Sequence, residues 1–218
     1  MMHLPYYIVK FACWLILRLG FGLEVRGQNH VPTSGGFLLA CNHASYLDPP
    51  VLGSACPRRV AFMARWTLYR HPLMRWFNRA MHCIPLDRDE GGLKAIREAA
   101  RRLQSGEGVG IFPEGRRQWS GDLGEAKRGV GLVAAQGRVP IIPVLIHGTF
   151  KVLPRGVSRL RRAKIRVAFG PQIAYTEQRF STDQPAKRVS LAAHHEALAQ
   201  AVTQSWRRLQ GELDTRES

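Results

Sequence analysis

Apolar positions along the chain fall into two rhythms. Short unbroken runs occur at Phe37-Leu38-Leu39-Ala40, Val60-Ala61-Phe62-Met63-Ala64, Val109-Gly110-Ile111-Phe112 and Ile141–Ile146. Each is bounded by glycine, proline or polar residues, which predicts buried strands. Residues 22–27 and Arg166–Phe169 read as further strands, and 81–87 as an extended segment. Between them the spacing lengthens to three and four. Leu93, Ile96, Ala100 and Leu103 predict a helix that stops near Gly106. Helices are also predicted at 49–56, at 129–137, and from about Pro185 to Leu213 with Val189, Ala192, Leu198, Val202, Trp206 and Leu209 at core spacings. Strands alternating with helices predict an α/β fold: a single domain whose mixed, largely parallel sheet is flanked by helices.

Two stretches do not fit that scheme. Residues 4–23 are strongly apolar, broken by Lys10 and then Arg18, and rich in Tyr, Phe, Trp and Leu. The uncharged run is too short for a clear spanning helix, and no small-residue cleavage site follows it to mark a secretory signal. Aromatics, aliphatics and cations together predict a helix lying in a membrane interface, the alternative being a helix packed on the domain. The expected division is a membrane-associating segment at 1–23 and the main domain at 24–218. The second stretch, Arg65 to Arg79, mixes Trp66, Tyr69, Leu73, Met74, Trp76 and Phe77 with arginines. It suits lipid, nucleic acid or a plain amphipathic helix.

Charge narrows the partners. The 218 residues carry 32 Lys+Arg against 16 Asp+Glu, a net +16, which predicts an anionic partner: a membrane surface, a phosphorylated substrate or nucleic acid. Cys13, Cys41, Cys56 and Cys83 form no Cys-x-x-Cys pair and read as free thiols of a reducing compartment. Cys41 is expected to be a small core residue and not a nucleophile.

The candidate chemistry sits where strands end. After Phe37–Ala40 comes Cys41-Asn42-His43-Ala44-Ser45-Tyr46-Leu47-Asp48-Pro49-Pro50. His43 is suited to move a proton near neutral pH, and Asp48 to fix its tautomer. Five residues along a straight strand separate two side chains by roughly 16 Å on opposite faces. On a helix, neighbours are three or four apart. The pair therefore meets only across a bend, which Pro49-Pro50 favours. The same residues also fit an ordinary helix N-cap at Asp48 and a core histidine. His82 and Asp87 have the same spacing in an extended segment, where they point apart. A further cluster, Phe112-Pro113-Glu114-Gly115-Arg116-Arg117, is followed by Lys127 and Gly129. Arg88, Arg116 and Arg117 have the fork geometry that grips phosphate. Glu114 is placed to meet a substrate hydroxyl or one of those arginines, or is a surface acid in a turn.

Other motifs fail on context. Gly129-x-Gly131-x-x-Ala134 lacks the preceding strand of a dinucleotide site, and His195-Glu196 lacks a second histidine for zinc. Neither a Gly-x-Ser-x-Gly elbow nor a phosphate-loop signature occurs. No metal or cofactor is expected.

Four blocks follow one another: Asn42-His43-x4-Asp48, Ile84-Pro85-Leu86-Asp87-Arg88, Phe112-Pro113-Glu114-Gly115 and Val139–Val144. Together they resemble the lysophospholipid and glycerophosphate acyltransferase family over residues 36–150. The resemblance implies His43 as general base with Asp48 as its partner. It places Arg88, Glu114 and Gly115 in the acceptor's glycerol-phosphate site, to which the neighbouring polar and basic residues Asn42, Arg116, Arg117 and Lys127 are added as substrate-binding candidates. His82 stands where the family usually has glycine, Arg116 replaces a usual threonine and Gln118 a usual serine. The implied reaction moves an acyl group from acyl-CoA or acyl carrier protein to a lysophospholipid hydroxyl, 1-acylglycerol-3-phosphate foremost, on the cytoplasmic side of a membrane. A thioester is already activated, so the reaction asks for no metal. Oxyanion donors are expected among backbone amides near His43. The rivals are an acyltransferase for another lyso-lipid, a hydrolase and a non-enzymatic nucleic-acid binder. The last finds no recognised motif and leaves the strand-end clusters unexplained.

Overall fold

Five residues of β2 (Phe37–Cys41) lie at the centre of the molecule with no side chain exposed to solvent. Leu38 and Ala40 point to one face of the sheet; Phe37, Leu39 and Cys41 point to the other. This period of two divides the core into halves. The computed structural model describes the chain apart from residues 1–3, 87–91, 155, 158, 176–184 and 216–218.

The strands are β1 (Glu24–Arg26), β2, β3 (Val60–Arg65), β4 (Ile84–Leu86), β5 (Gly108–Ile111), β6 (Ile141–His147) and β7 (Arg166–Phe169). The helices are α1 (Leu4–Phe21), α2 (Asp48–Ala55), α3 (Pro72–Ala80), α4 (Leu93–Gln104), α5 (Gly129–Gly137), α6 (Thr149–Val152) and α7 (Pro185–Asp214). The seven strands form one sheet in the order β1-β7-β6-β2-β5-β3-β4. The run from β6 to β4 is parallel, and β7 turns antiparallel to β6 while pairing parallel with β1. The expected mixed, largely parallel sheet flanked by helices is the observed one. Helices α4, α5 and α7 cover one face, and α1 and α2 the other.

Particular residues explain how the pieces fit. Pro143 sits inside a central strand, where a missing N–H normally breaks a ladder. Its carbonyl accepts from Gly170 N at 2.8 Å, just past the end of β7, so the missing donor faces a gap in the pairing and not a strand. Gly131, which mimicked a dinucleotide fingerprint, is a packing residue. A side chain there would meet the Cα of His195 at 2.6 Å, so glycine lets α5 and α7 touch. Trp206 of α7 is fully buried, and its indole N–H donates to Ala40 O at 3.0 Å, near the end of β2.

The two unusual stretches form one surface. α1 rests on α2 through a narrow stripe: Tyr6 Oη accepts from Val60 N at 3.0 Å and Lys10 Nζ donates to Cys56 O at 2.6 Å. Its opposite side leaves Leu4, Ile8, Phe11, Leu15 and Leu19 exposed. By length and composition α1 is apolar enough to cross a membrane. Residues 65–79 are not one helix: a 3-10 turn at Trp66–Tyr69 gives way at Pro72 to α3, which touches α1 and exposes Leu73 and Trp76.

His82 adopts φ of 51°, the left-handed region, in the turn before β4, a conformation that glycine takes without penalty. His82→Gly is expected to leave the fold intact and raise unfolding free energy by about 0.5–1 kcal/mol, or be neutral where the gain in unfolded-chain entropy cancels it. A urea titration that shows a loss above 1 kcal/mol contradicts this account.

Candidate active site

The parallel strands all end on one edge of the sheet. The adjacent strands β2, β5 and β6 deliver there the segments 42–48, 112–118 and 148–153. A crevice beyond the carboxyl ends of neighbouring parallel strands is where open α/β sheets place their chemistry.

Asn42 opens the turn. Its side-chain carbonyl accepts from Ile146 N at 2.8 Å, and its amide donates to Ile146 O at 3.0 Å. The side chain thus stands in for another residue of strand pairing, which lets the backbone leave the sheet. Both ends of the buried amide are bonded to β6, so the role the structure shows for Asn42 is to extend the strand pairing.

The bend then brings His43 and Asp48 together, with Nδ1 to Oδ2 at 2.8 Å. A carboxylate only accepts, so Nδ1 is the donor, and in the neutral imidazole Nε2 is then the nitrogen with the lone pair. Asp48 lies at the start of α2 but does not cap it. Its Oδ2 turns back to accept from Ala44 N and Ser45 N, both at 2.7 Å, and its Oδ1 accepts from Thr149 Oγ1 at 2.6 Å. The carboxylate is 1% exposed and holds four donors. Thr149 is invisible to pattern analysis, since α6 is only four residues long.

Glu114 meets the same turn from the side. The Phe112–Gly115 turn closes with Gly115 N donating to Phe112 O at 3.0 Å, and Gly115 takes φ of 78°, which glycine adopts without penalty. Glu114 Oε1 accepts from His43 N at 3.1 Å, and Oε2 accepts from Gln118 Nε2 at 2.5 Å. Gln118 N in turn donates to His43 O at 2.9 Å. Glu114 is thus a buried brace on the His43 backbone, and Gln118, noted in the sequence only as a departure, completes the brace. The amides of residues 43, 44 and 45 are all committed to carboxylates. Of the backbone amides near His43, these three are therefore already bonded, which leaves the expected oxyanion donors to other amides around the turn.

The cations line the rim. Arg117 stacks on Tyr46 with its guanidinium carbon 3.4 Å from the ring centroid. Lys127 lies against Gly115, its backbone N donating to Pro113 O at 3.1 Å, and Arg116 is exposed. Arg88 lies outside the described residues. Phe112 stacks on the His43 ring at 4.2 Å and also walls an apolar cavity of about 320 Å³ with Met63, Leu86, Ile96, Ile111, Val130 and Val133. Cys41 is fully buried, and burial drives its thiol pKa well above the usual range, as expected of a core residue. Among the described residues no group of three or more His, Cys, Asp or Glu could hold a metal.

Burial pushes the Glu114 carboxyl up to about 7, against the lowering bonds from Gln118 and the His43 amide. Between the ordinary value of 4.5 and 7 the folded protein therefore holds a proton that the unfolded chain has lost, so stability falls as pH rises through that window. Glu114→Gln removes the titration. The free-energy difference between wild type and variant is expected to change by about 3 kcal/mol from pH 4.5 to 7, measured by denaturant unfolding, at about 1.4 kcal/mol per unit. A difference that stays flat across the window contradicts the assignment.

Comparison with known proteins agrees with this geometry. The acyltransferase family model matches residues 22–147. A 1-acyl-sn-glycerol-3-phosphate acyltransferase of Bacillus subtilis is 30% identical over 204 residues, 93% of this chain and 96% of that protein. One of the same name from Saccharomyces cerevisiae is 28% identical over 67% of this chain, which spans 50% of its length. The crystal structure of the 1-acyl-sn-glycerophosphate acyltransferase PlsC from Thermotoga maritima superposes with a TM-score of 0.70 at 22% identity, covering 93% of this chain and 79% of that one. At that identity the likeness speaks for the fold, while the matched family model and the Bacillus relative speak for descent: this chain belongs to the acyltransferase family and is an O-acyltransferase.

Proposed function

We propose that the enzyme transfers a fatty acyl group from a thioester, acyl-CoA or acyl carrier protein, to the hydroxyl of a lysophospholipid, foremost 1-acylglycerol-3-phosphate. The observation that carries this reading is the His43 imidazole held by Asp48 with Nε2 left to accept a proton. Nε2 takes the acceptor hydroxyl's proton while its oxygen attacks the thioester carbonyl. The carbon–sulfur bond then breaks, and the leaving thiolate takes that proton back from His43. Asp48 stabilises the imidazolium between the two transfers. The printed names of the Bacillus and yeast relatives support the acceptor class.

Arg116, Arg117 and Lys127 give the rim the charge to hold a phosphate, and Arg88 joins them on the strength of the family resemblance. The cavity behind Phe112 is lined largely by apolar side chains and lies one ring away from His43, which suits an acyl chain. The exposed apolar face of α1 supports contact with a membrane, and on this reading that contact is on the cytoplasmic side, where a lipid acceptor and a soluble donor meet.

His43→Ala is expected to lower thiol release from acyl-CoA by about a hundred- to ten-thousandfold with the fold retained, the lost donor to Asp48 lowering the melting temperature by only a few degrees because three donors remain. Full activity in that variant ends the mechanism. A panel of lyso-lipid acceptors with one donor identifies the acceptor, and free fatty acid released without acceptor would point to hydrolysis. For the cavity, Ile96→Trp is expected to cut kcat/KM for long-chain donors by roughly tenfold or more while sparing short ones. Equal losses on both would remove the acyl chain from that cavity.

A further inference from the structure

Residues 151–166 carry seven Lys or Arg and no Asp or Glu. The segment joins α6 to β7 and lies outside the part of the chain matched by the family model. Lys151, Arg159, Arg161 and Arg162 are exposed, and among the described residues no carboxylate lies within ion-pair distance of any of them. The two cations nearest β7 differ: Lys164 and Arg166 approach Glu24 at 2.6 and 3.5 Å. Leu160, in the middle of the cluster, is also exposed.

We propose that this basic segment is a docking surface for anionic lipid headgroups, setting the rim of the active site against the membrane. Two observations choose this partner. The first is continuity with α1. Ile165 N donates to Phe21 O at 3.1 Å, so the basic segment meets the end of α1, whose exposed apolar stripe includes Leu15 and Leu19. An apolar stripe running into a cluster of uncompensated cations matches a bilayer interface, with acyl chains for the one and phosphates for the other. The second is composition: residues 151–166 contain no aromatic side chain, so the stacking platform that single-stranded nucleic acid uses is missing. An acidic protein would use the cations and leave the stripe uncovered.

The cluster is also tied to the reacting groups. Thr149 Oγ1 donates to Asp48 Oδ1 at 2.6 Å, Ser45 Oγ donates to Leu153 O at 2.8 Å, and Arg161 N donates to Val152 O at 2.8 Å. Docking the basic segment on a headgroup layer therefore carries the His43 turn to the plane in which a lysophospholipid presents its hydroxyl. The purpose of the surface rests on the lipid-acyltransferase reading, but its test does not.

The test compares the full chain with an Arg159→Ser/Arg161→Ser/Arg162→Ser variant. Vesicle partitioning is measured on phosphatidylglycerol-containing and on pure phosphatidylcholine vesicles. Turnover is measured separately on a short-chain, water-soluble lyso-acceptor. At about 1 kcal/mol per cation near an anionic surface, affinity for the anionic vesicles is expected to fall about a hundredfold, with a shallower salt dependence. Binding to phosphatidylcholine and soluble turnover stay unchanged, and an Arg159→Lys/Arg161→Lys/Arg162→Lys variant recovers binding. Undiminished binding to anionic vesicles overturns the proposal, as does an equal loss on phosphatidylcholine. A parallel loss of soluble turnover assigns the arginines to substrate or to an acidic donor carrier instead, and equally overturns it. Absence of soluble turnover in the wild type would count against the acyltransfer reading alone, and the vesicle comparison would still decide the docking surface.

Discussion

A carboxylate buried at 1% exposure is costly unless its lone pairs are met, and Asp48 has four donors meeting them. Those donors come from two places: His43, Ala44 and Ser45 in the turn after β2, and Thr149 after β6. The charge therefore does structural work before it does chemistry. It curls residues 43–48 around itself, holds the ends of two neighbouring strands in register and turns the imidazole so that one nitrogen faces outward. Removing any donor leaves part of the charge unmet, so the bend, the tautomer and the docking of α6 depend on one another.

The second buried carboxylate shows why environment, and not residue type, sets a role. Glu114 is as hidden as Asp48 but receives fewer donors, and burial raises its pKa to about 7. The two acids flank one histidine, Asp48 on the ring and Glu114 on the backbone amide. The two buried acids thus have different tasks, Asp48 orienting the ring and Glu114 bracing the backbone beneath it. Gln118 tunes the Glu114 carboxyl, since its amide supplies a strong bond to it.

Much of this was legible in the chain. Unbroken apolar runs marked strands because parallel strands are buried on both faces, and the strand-end clusters gave the region where chemistry gathers. The bend between His43 and Asp48 followed from spacing alone, since neither a strand nor a helix lets residues five apart meet. What stayed hidden depends on long-range contact. Thr149 lies 101 residues from Asp48, and Gln118 reaches His43 across two strand ends. Neither has a local pattern. The amides near His43 looked free because sequence shows which groups exist but not which are already bonded. The bonds of Asn42 were hidden for the same reason: its polarity pointed to substrate, and its partners in the fold are the backbone atoms of Ile146.

The charge of the molecule is likewise divided by what surrounds it. Arg58 is held by three backbone carbonyls, of Pro32, Gly35 and Gly106, and Arg102 by His82 O and Glu98. These cations are part of the fold and are spent on it. Lys151 of α6 and Arg159, Arg161 and Arg162, between α6 and β7, are exposed and make no ion pair among the described residues, and they lie toward the edge where the parallel strands end. A net charge of +16 spread evenly would attract anions to every face and orient nothing. Concentrating the uncommitted part beside the reacting groups and next to the exposed stripe of α1 gives the molecule a polarity, so that approach to an anionic lipid layer and delivery of the imidazole to its substrate become the same motion.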